Sequence, residues 1–158
     1  MIQVLFVCLG NICRSPSAEA VFRDMVAAKN LENRIITDSA GTGAWHVGNP
    51  PDERAQLIGK TRYIQMSDLR ARQVRTSDFE QFQYILAMDN DNYANLSRMK
   101  PDHFKGRLCK MLDFGASEET EVPDPYYGDL SDYEHVFDLL KPASEALLKH
   151  IIENDLDR

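Results

Sequence analysis

The stretch Cys8-Leu9-Gly10-Asn11-Ile12-Cys13-Arg14-Ser15 puts a thiol at one end of a short loop and a guanidinium near the other, in the pattern C-x5-R-S. Those residue types at that spacing suit nucleophilic attack on a phosphate. A loop running into a helix N-terminus turns successive N–H groups into one concavity, and the helix dipole adds positive potential, so a dianion fits there. Arg14 offers a planar fork of donors that can hold two phosphate oxygens at once, which lysine cannot do on equal terms. Gly10 permits backbone angles that a side chain would hinder. Cys8 sits at the mouth of this nest, and a thiol near a helix N-terminus and an arginine ionises readily. Ser15 can hydrogen-bond that sulfur as well as cap the helix.

A thiolate attacking phosphorus needs an acid to protonate the leaving oxygen, and later a base to activate water. Val122-Pro123-Asp124-Pro125-Tyr126-Tyr127-Gly128 supplies one far along the chain. Two prolines stiffen the loop around Asp124 and fix where its carboxylate points. Tyr126 and Tyr127 can wall a slot for a flat ring. Taken alone, a cysteine after a strand is usually a small core residue and Asp124 an ordinary turn aspartate. The occurrence of nucleophile, clamp and acid together decides for function.

The elements that must position these residues follow from apolar spacing. Ile2–Val7 is a short apolar run with no helical stripe, read as a buried strand; Ile35–Ser39, Tyr84–Met88 and, more weakly, Arg107–Leu112 are further strands. Ala18, Val21, Phe22, Met25 and Val26 make one face of a helix that Ser15 caps and Pro16 begins. Further helices are expected at Pro51–Gly59, Ser77–Phe82, Asp89–Ser97 and Ser131–Asn154, with Pro142 starting or kinking part of the last. Strands separated by helices imply an α/β fold: one domain over residues 1–158, with a four-stranded parallel sheet covered by helices on both faces, flavodoxin-like or Rossmann-like. Ligands of such sheets bind beyond the carboxyl ends of the strands. Cys8 stands at such an end.

Composition narrows the classes. A net charge of −7 argues against a nucleic-acid binder, although a local pocket can still be positive. Three cysteines, an odd number, argue against a disulfide scaffold. No apolar run approaches the roughly 18 residues of a membrane helix, and no secretory leader is visible, so a reducing cytoplasm is the expected setting. His46, His103, His135 and His150 show no ligand spacing, so neither metal nor other cofactor is expected. Cys109 and the methionines read as packing residues.

The C-x5-R-S loop after the first strand resembles the signature of the low-molecular-weight protein tyrosine phosphatases. Two more segments are similar: Asp124-Pro125-Tyr126-Tyr127-Gly128, and Ser39-Ala40-Gly41-Thr42-Gly43-Ala44-Trp45 with Gly48-Asn49-Pro50-Pro51-Asp52. The resemblance covers the whole domain. It implies Asp124 as general acid, Tyr126 and Tyr127 as an aromatic pocket wall, Trp45 as the facing wall, and a structural role for Met88-Asp89-Asn90-Asp91-Asn92. It also makes a reversible Cys8–Cys13 disulfide credible, since both thiols belong to one tight loop. One departure stands out: the family often carries a histidine upstream of Ala71-Arg72-Gln73 that orients the loop asparagine, here Asn11, and this chain has Leu69 there.

The expected substrates are phosphotyrosine-containing proteins or aryl phosphates. A thioredoxin-coupled arsenate reductase shares the loop but needs two further cysteines close together downstream, and only Cys109 lies there. A module that merely binds phosphate would not need nucleophile, clamp and acid together. Within the resembling family, arginine phosphatases tend to carry threonine just before the second loop cysteine. The apolar Ile12 at that position points to phosphotyrosine.

Overall fold

Successive side chains of a strand point to opposite faces of its sheet, and in β1 (Ile2–Cys8) both faces are apolar. Val4, Phe6 and Cys8 belong to one buried cluster, Leu5 and Val7 to another. A strand buried on both sides belongs in the middle of a parallel sheet. A computed structural model, which describes residues 1–156, has it there. β1 pairs in parallel with β2 (Ile35–Gly41) on one side and β3 (Tyr84–Ala87) on the other. β3 pairs in parallel with β4 (Arg107–Lys110), so the four strands run in the order β2-β1-β3-β4.

α1 (Arg14–Ala28) and α5 (Leu130–Ile151) cover one face through Ala18, Phe22, Val136, Leu140 and Leu147. α3 (Asp78–Gln81) and α4 (Asn90–Met99) cover the other through Phe79 and Leu96. α2 (Glu53–Thr61) closes a third cluster outside α1 and α5, where Ala55 and Ile58 meet Ala20, Val21, Tyr133 and Phe137. Because β1 has its partners β2 and β3 on opposite sides, the chain leaves β1 for one edge and later returns to the other. That reversal opens a crevice at the carboxyl ends of β1 and β3, where Cys8 ends its strand.

The strand and helix expectations hold in kind, with corrections at their ends. Ser15 does not cap α1: the capping position is Cys13, no side chain caps it, and Pro16 falls two residues inside the helix that Arg14 begins. Proline is tolerated there because the first-turn N–H groups have no partner within the helix. α2 and α4 start one to two residues later than expected, because Asp52 and Asp89 act as caps, accepting from Arg54 N at 2.8 Å and Asn92 N at 2.7 Å. β4 stops at Lys110 and yields to a 3₁₀ turn, Met111–Asp113. Pro142 begins no new segment; α5 runs through it, since Leu139, Leu140, Ala143 and Leu147 around it are all buried. A π turn, Ile152–Leu156, follows.

Candidate active site

The loop between β1 and α1 is held by its carbonyls. Cys8 O accepts from Thr42 N and Leu9 O from Gly43 N, both at 2.9 Å, while Ile12 O accepts from Asp52 N at 2.8 Å. Its N–H groups are left over: those of Gly10, Asn11, Ile12 and Cys13 donate to no other described residue. Buried N–H groups seldom stay unpaired, and several in succession at a helix N-terminus make an anion nest. Gly41 allows β2 to abut this loop, because a Cβ there would stand 2.8 Å from Leu9 O.

Asn11 is the residue with a positive φ, 57°, and Gly10 is not. Gly10 contributes room: a Cβ at Gly10 would meet the His46 ring at 3.0 Å. The left-handed Asn11 is fixed by its own amide. Its Nδ2 donates to Ser15 Oγ at 2.7 Å and Ser39 Oγ at 3.0 Å, and its Oδ1 accepts from Arg72 N at 3.0 Å. Ser39 and the Arg72 backbone therefore do the orienting, while Leu69 packs against the Ile12 cluster. Ser39 Oγ donates in turn to Glu19 Oε1 at 2.8 Å. Glu19 is only 5% exposed, and burial lifts its carboxyl to about 7, with the Ser39 hydrogen bond opposing. Since Asn11 donates to Ser15, the Ser15 proton is free to point at Cys8 Sγ, 3.0 Å away, or at Ala40 O, 3.4 Å away. Ser15 N–H also reaches the sulfur, at 3.4 Å. Asn11 and Ser15 thus brace the loop from behind, and their side chains do not line the cavity.

Arg14 is 3% exposed, and its Nη1 donates to Asp89 Oδ2 at 2.6 Å and Val122 O at 3.0 Å. Its Nη2 stands 3.7 Å from Asp124 Oδ2. Burial alone would lower the pKa of this guanidinium, but the Cys8 sulfur and the Asp89 and Asp124 carboxylates outweigh it and raise it. Asp89 does two jobs from the end of β3, capping α4 and locking the clamp. The resemblance implies only a structural role for this residue.

Cys8, Leu9, Gly10, Ile12, Cys13, Arg14, Trp45, Asp124, Tyr126 and Tyr127 line one cavity of about 420 Å³, and His46 joins them. Trp45 and Tyr127 form an exposed rim, whereas Tyr126 is half-buried with its ring 5.0 Å from that of Tyr127 and 6.1 Å from that of His46. His46 carried no sequence signal beyond its place beside Trp45. Cys13 Sγ lies 3.3 Å from Tyr133 Oη, and burial pushes its thiol up to about 12, partly countered by that hydrogen bond. Among the described residues no cluster of three His, Cys, Asp or Glu side chains could hold a metal ion.

This arrangement can bind a phosphate dianion in the nest, attack it with sulfur and protonate a leaving group from Asp124. A family model described as low molecular weight phosphotyrosine protein phosphatase matches residues 3–156. The low molecular weight protein-tyrosine-phosphatase YfkJ of Bacillus subtilis is 47% identical over 152 residues, 96% of each chain. A crystal structure of a protein tyrosine phosphatase from Entamoeba histolytica, with Hepes in its active site, superposes with a TM-score of 0.94 at 44% identity, over 99% of this chain and 100% of that one. The crystal structure of a Drosophila arginine phosphatase superposes with a TM-score of 0.90 at 31% identity, over 98% and 100%.

Proposed function

The chain belongs to the low molecular weight phosphotyrosine protein phosphatases, and from that premise we propose which of its residues carry each step. The enzyme hydrolyses phosphotyrosine monoesters through a cysteinyl-phosphate intermediate. In our assignment Cys8 Sγ attacks phosphorus and forms the S–P bond as the P–O bond to the phenol breaks. Asp124 gives its proton to the departing oxygen. It then takes a proton from the water that attacks phosphocysteine, and inorganic phosphate and the Cys8 thiolate result. Arg14 and the loop N–H groups hold the equatorial oxygens throughout, in the nest where charge is greatest. Trp45, Tyr126 and Tyr127 receive the aromatic ring.

The observation that carries this reading is the meeting of Cys8, Arg14 and Asp124 at one cavity, beside loop N–H groups that no other described residue engages. Cys8 is buried in this cavity while Trp45 and Tyr127 stand exposed at its rim, which favours a long, flat side chain over the shorter phosphoserine. The substrates are accordingly phosphotyrosine-containing proteins or aryl phosphates. A thiol nucleophile works in a reducing compartment, and Cys8, Cys13 and Cys109 are all unbridged, which supports a cytoplasmic setting. No helix among the described residues is long and apolar enough to cross a membrane.

Cys8→Ser tests the assignment. The variant should keep its fold and its affinity for inorganic phosphate while losing turnover, and it should retain phosphotyrosine peptides as a trap. Substantial hydrolysis by that variant would remove Cys8 from the nucleophile's role.

A further inference from the structure

Asp124 can act only if it is held over Cys8, yet the turn that carries it is exposed: the Asp124 side chain is 42% accessible and Tyr127 is 96%. The turn is internally stiff. Tyr126 N–H donates to Asp124 Oδ1 at 3.1 Å and Gly128 N–H to Pro125 O at 2.9 Å. A stiff turn still has to be fastened to the rest of the site. Among the described residues, one hydrogen bond reaches it from outside: Arg54 Nη1 donates to Gly128 O at 3.3 Å.

We propose that Arg54 is a positioning residue for the reaction, a clasp that fastens the Asp124–Gly128 turn to the phosphate loop and so sets where the acid and the Tyr126 wall stand over Cys8. The inference rests on the roles given above to Asp124 and Tyr126. Arg54 is held at its other end by Asp52, whose carboxylate accepts from Nε and from Nη2, each at 3.0 Å. Asp52 is itself tied to the loop through its N–H, which donates to Ile12 O at 2.8 Å. The guanidinium lies 5.6 Å from the centre of the Tyr126 ring and 4.8 Å from that of Tyr133. Tyr133 in turn reaches Cys13 Sγ at 3.3 Å. One side chain therefore spans from two loop residues, Ile12 through Asp52 and Cys13 through Tyr133, to the ring and the far end of the acid's turn. Only arginine combines these contacts, because it needs a fork for the carboxylate, a spare donor for the carbonyl and a flat face for the rings. Tyr126 also packs against the apolar cluster of Ile12, Cys13 and Tyr133, but the other polar and ring approaches to the turn are looser: Arg14 comes within 3.7 Å of Asp124, and the His46 ring within 6.1 Å of that of Tyr126.

The test is a leaving-group series on Arg54→Ala and Arg54→Lys, each alone and combined with Asp124→Asn. A misplaced catalytic group can cost ~10²-fold, so kcat/KM for a phosphotyrosine peptide should fall by about that much in Arg54→Ala. The loss should shrink for esters of acidic phenols, whose leaving oxygens need little protonation. In the Asp124→Asn background the same substitution should cost far less, because the group it positions is already gone. Arg54→Lys, which keeps the charge beside Asp52 but loses fork and face, should fall between, and it decides the matter if Arg54→Ala does not fold. The proposal is overturned by an equal loss across all leaving groups, by full additivity with Asp124→Asn, or by no loss. Should Asp124→Asn alone show no leaving-group dependence, the assignment of the acid fails instead, and that result is read without Arg54.

Discussion

The Arg14 guanidinium faces two carboxylates that differ in how firmly they are held: Asp89 Oδ2 binds Nη1 at 2.6 Å, while Asp124 Oδ2 stands 3.7 Å from Nη2. Asp89 is the fixed partner that aims the clamp. Asp124 lies at the longer distance on an exposed turn, as the proton-transfer role proposed for it requires.

That difference predicts the behaviour of Asp124→Asn. Proton transfer by a placed side chain contributes ~10²–10⁴-fold, so turnover of phosphotyrosine should slow by about that much while the constant for inorganic phosphate inhibition changes little. The defect should fade for substrates with acidic phenols. A uniform loss across leaving groups would mark Asp124 as structural.

Oxidation by hydrogen peroxide should convert the Cys8 thiolate to a sulfenic acid, with hydroxide released. Cys13 sulfur then attacks it, water leaves and a disulfide forms, which a thiol reductant reverses. Burial, which pushes Cys13 up to about 12, makes this second step slow, and the Tyr133 hydrogen bond favours the thiolate it needs. Tyr133→Phe should therefore shift the product from disulfide toward overoxidised Cys8, as read by mass spectrometry. Wild-type protein that yields only overoxidised Cys8, with Cys13 free, would refute the pairing.

Ile12 lines the cavity and offers a guanidinium no hydrogen-bond partner. Matched peptides carrying each phosphoresidue should show a kcat/KM preference for phosphotyrosine over phosphoarginine, and Ile12→Thr should raise the phosphoarginine activity. The similarity to an arginine phosphatase makes this comparison pointed: a wild-type preference for phosphoarginine reverses the substrate assignment.

Glu19 gives a pH signature in stability. Its folded carboxyl titrates near 7 against an ordinary 4.5, because of burial, with Asp38 and Asp68 adding to the rise and Ser39 and Arg23 opposing it. The folded state therefore holds a proton that the unfolded chain releases. The stabilisation from this group is full below about pH 4.5 and is lost as the pH rises through 7. Glu19→Gln should shrink the fall in unfolding free energy between acidic and basic pH by on the order of 2–3 kcal/mol. Urea denaturation of both proteins at the two extremes measures it; an unchanged difference would show that Glu19 titrates normally.

Much of this was legible in the chain itself. Cys8, Gly10, Asn11 and Arg14 lie within one seven-residue stretch, so short-range sterics and the emerging helix shape their loop, and their types reveal its chemistry. The β1 run is apolar and announces a buried strand. Prolines on either side of Asp124 mark a stiffened acid. What the tertiary structure alone decided is which distant groups face these residues. Of the two roles the sequence offered Ser15, only the contact to the Cys8 sulfur holds; the packing of β2 against α1 brings Ser39 to Asn11, and Asn11 donates to both serines. Asp89 became the partner of Arg14 because β3 ends beside β1, and Glu19, His46 and Arg54 acquired their places through elements far apart in sequence. Periodicity reports which face of an element is buried. It carries no record of which polar atom waits on the neighbouring element, because that depends on how the elements are packed together.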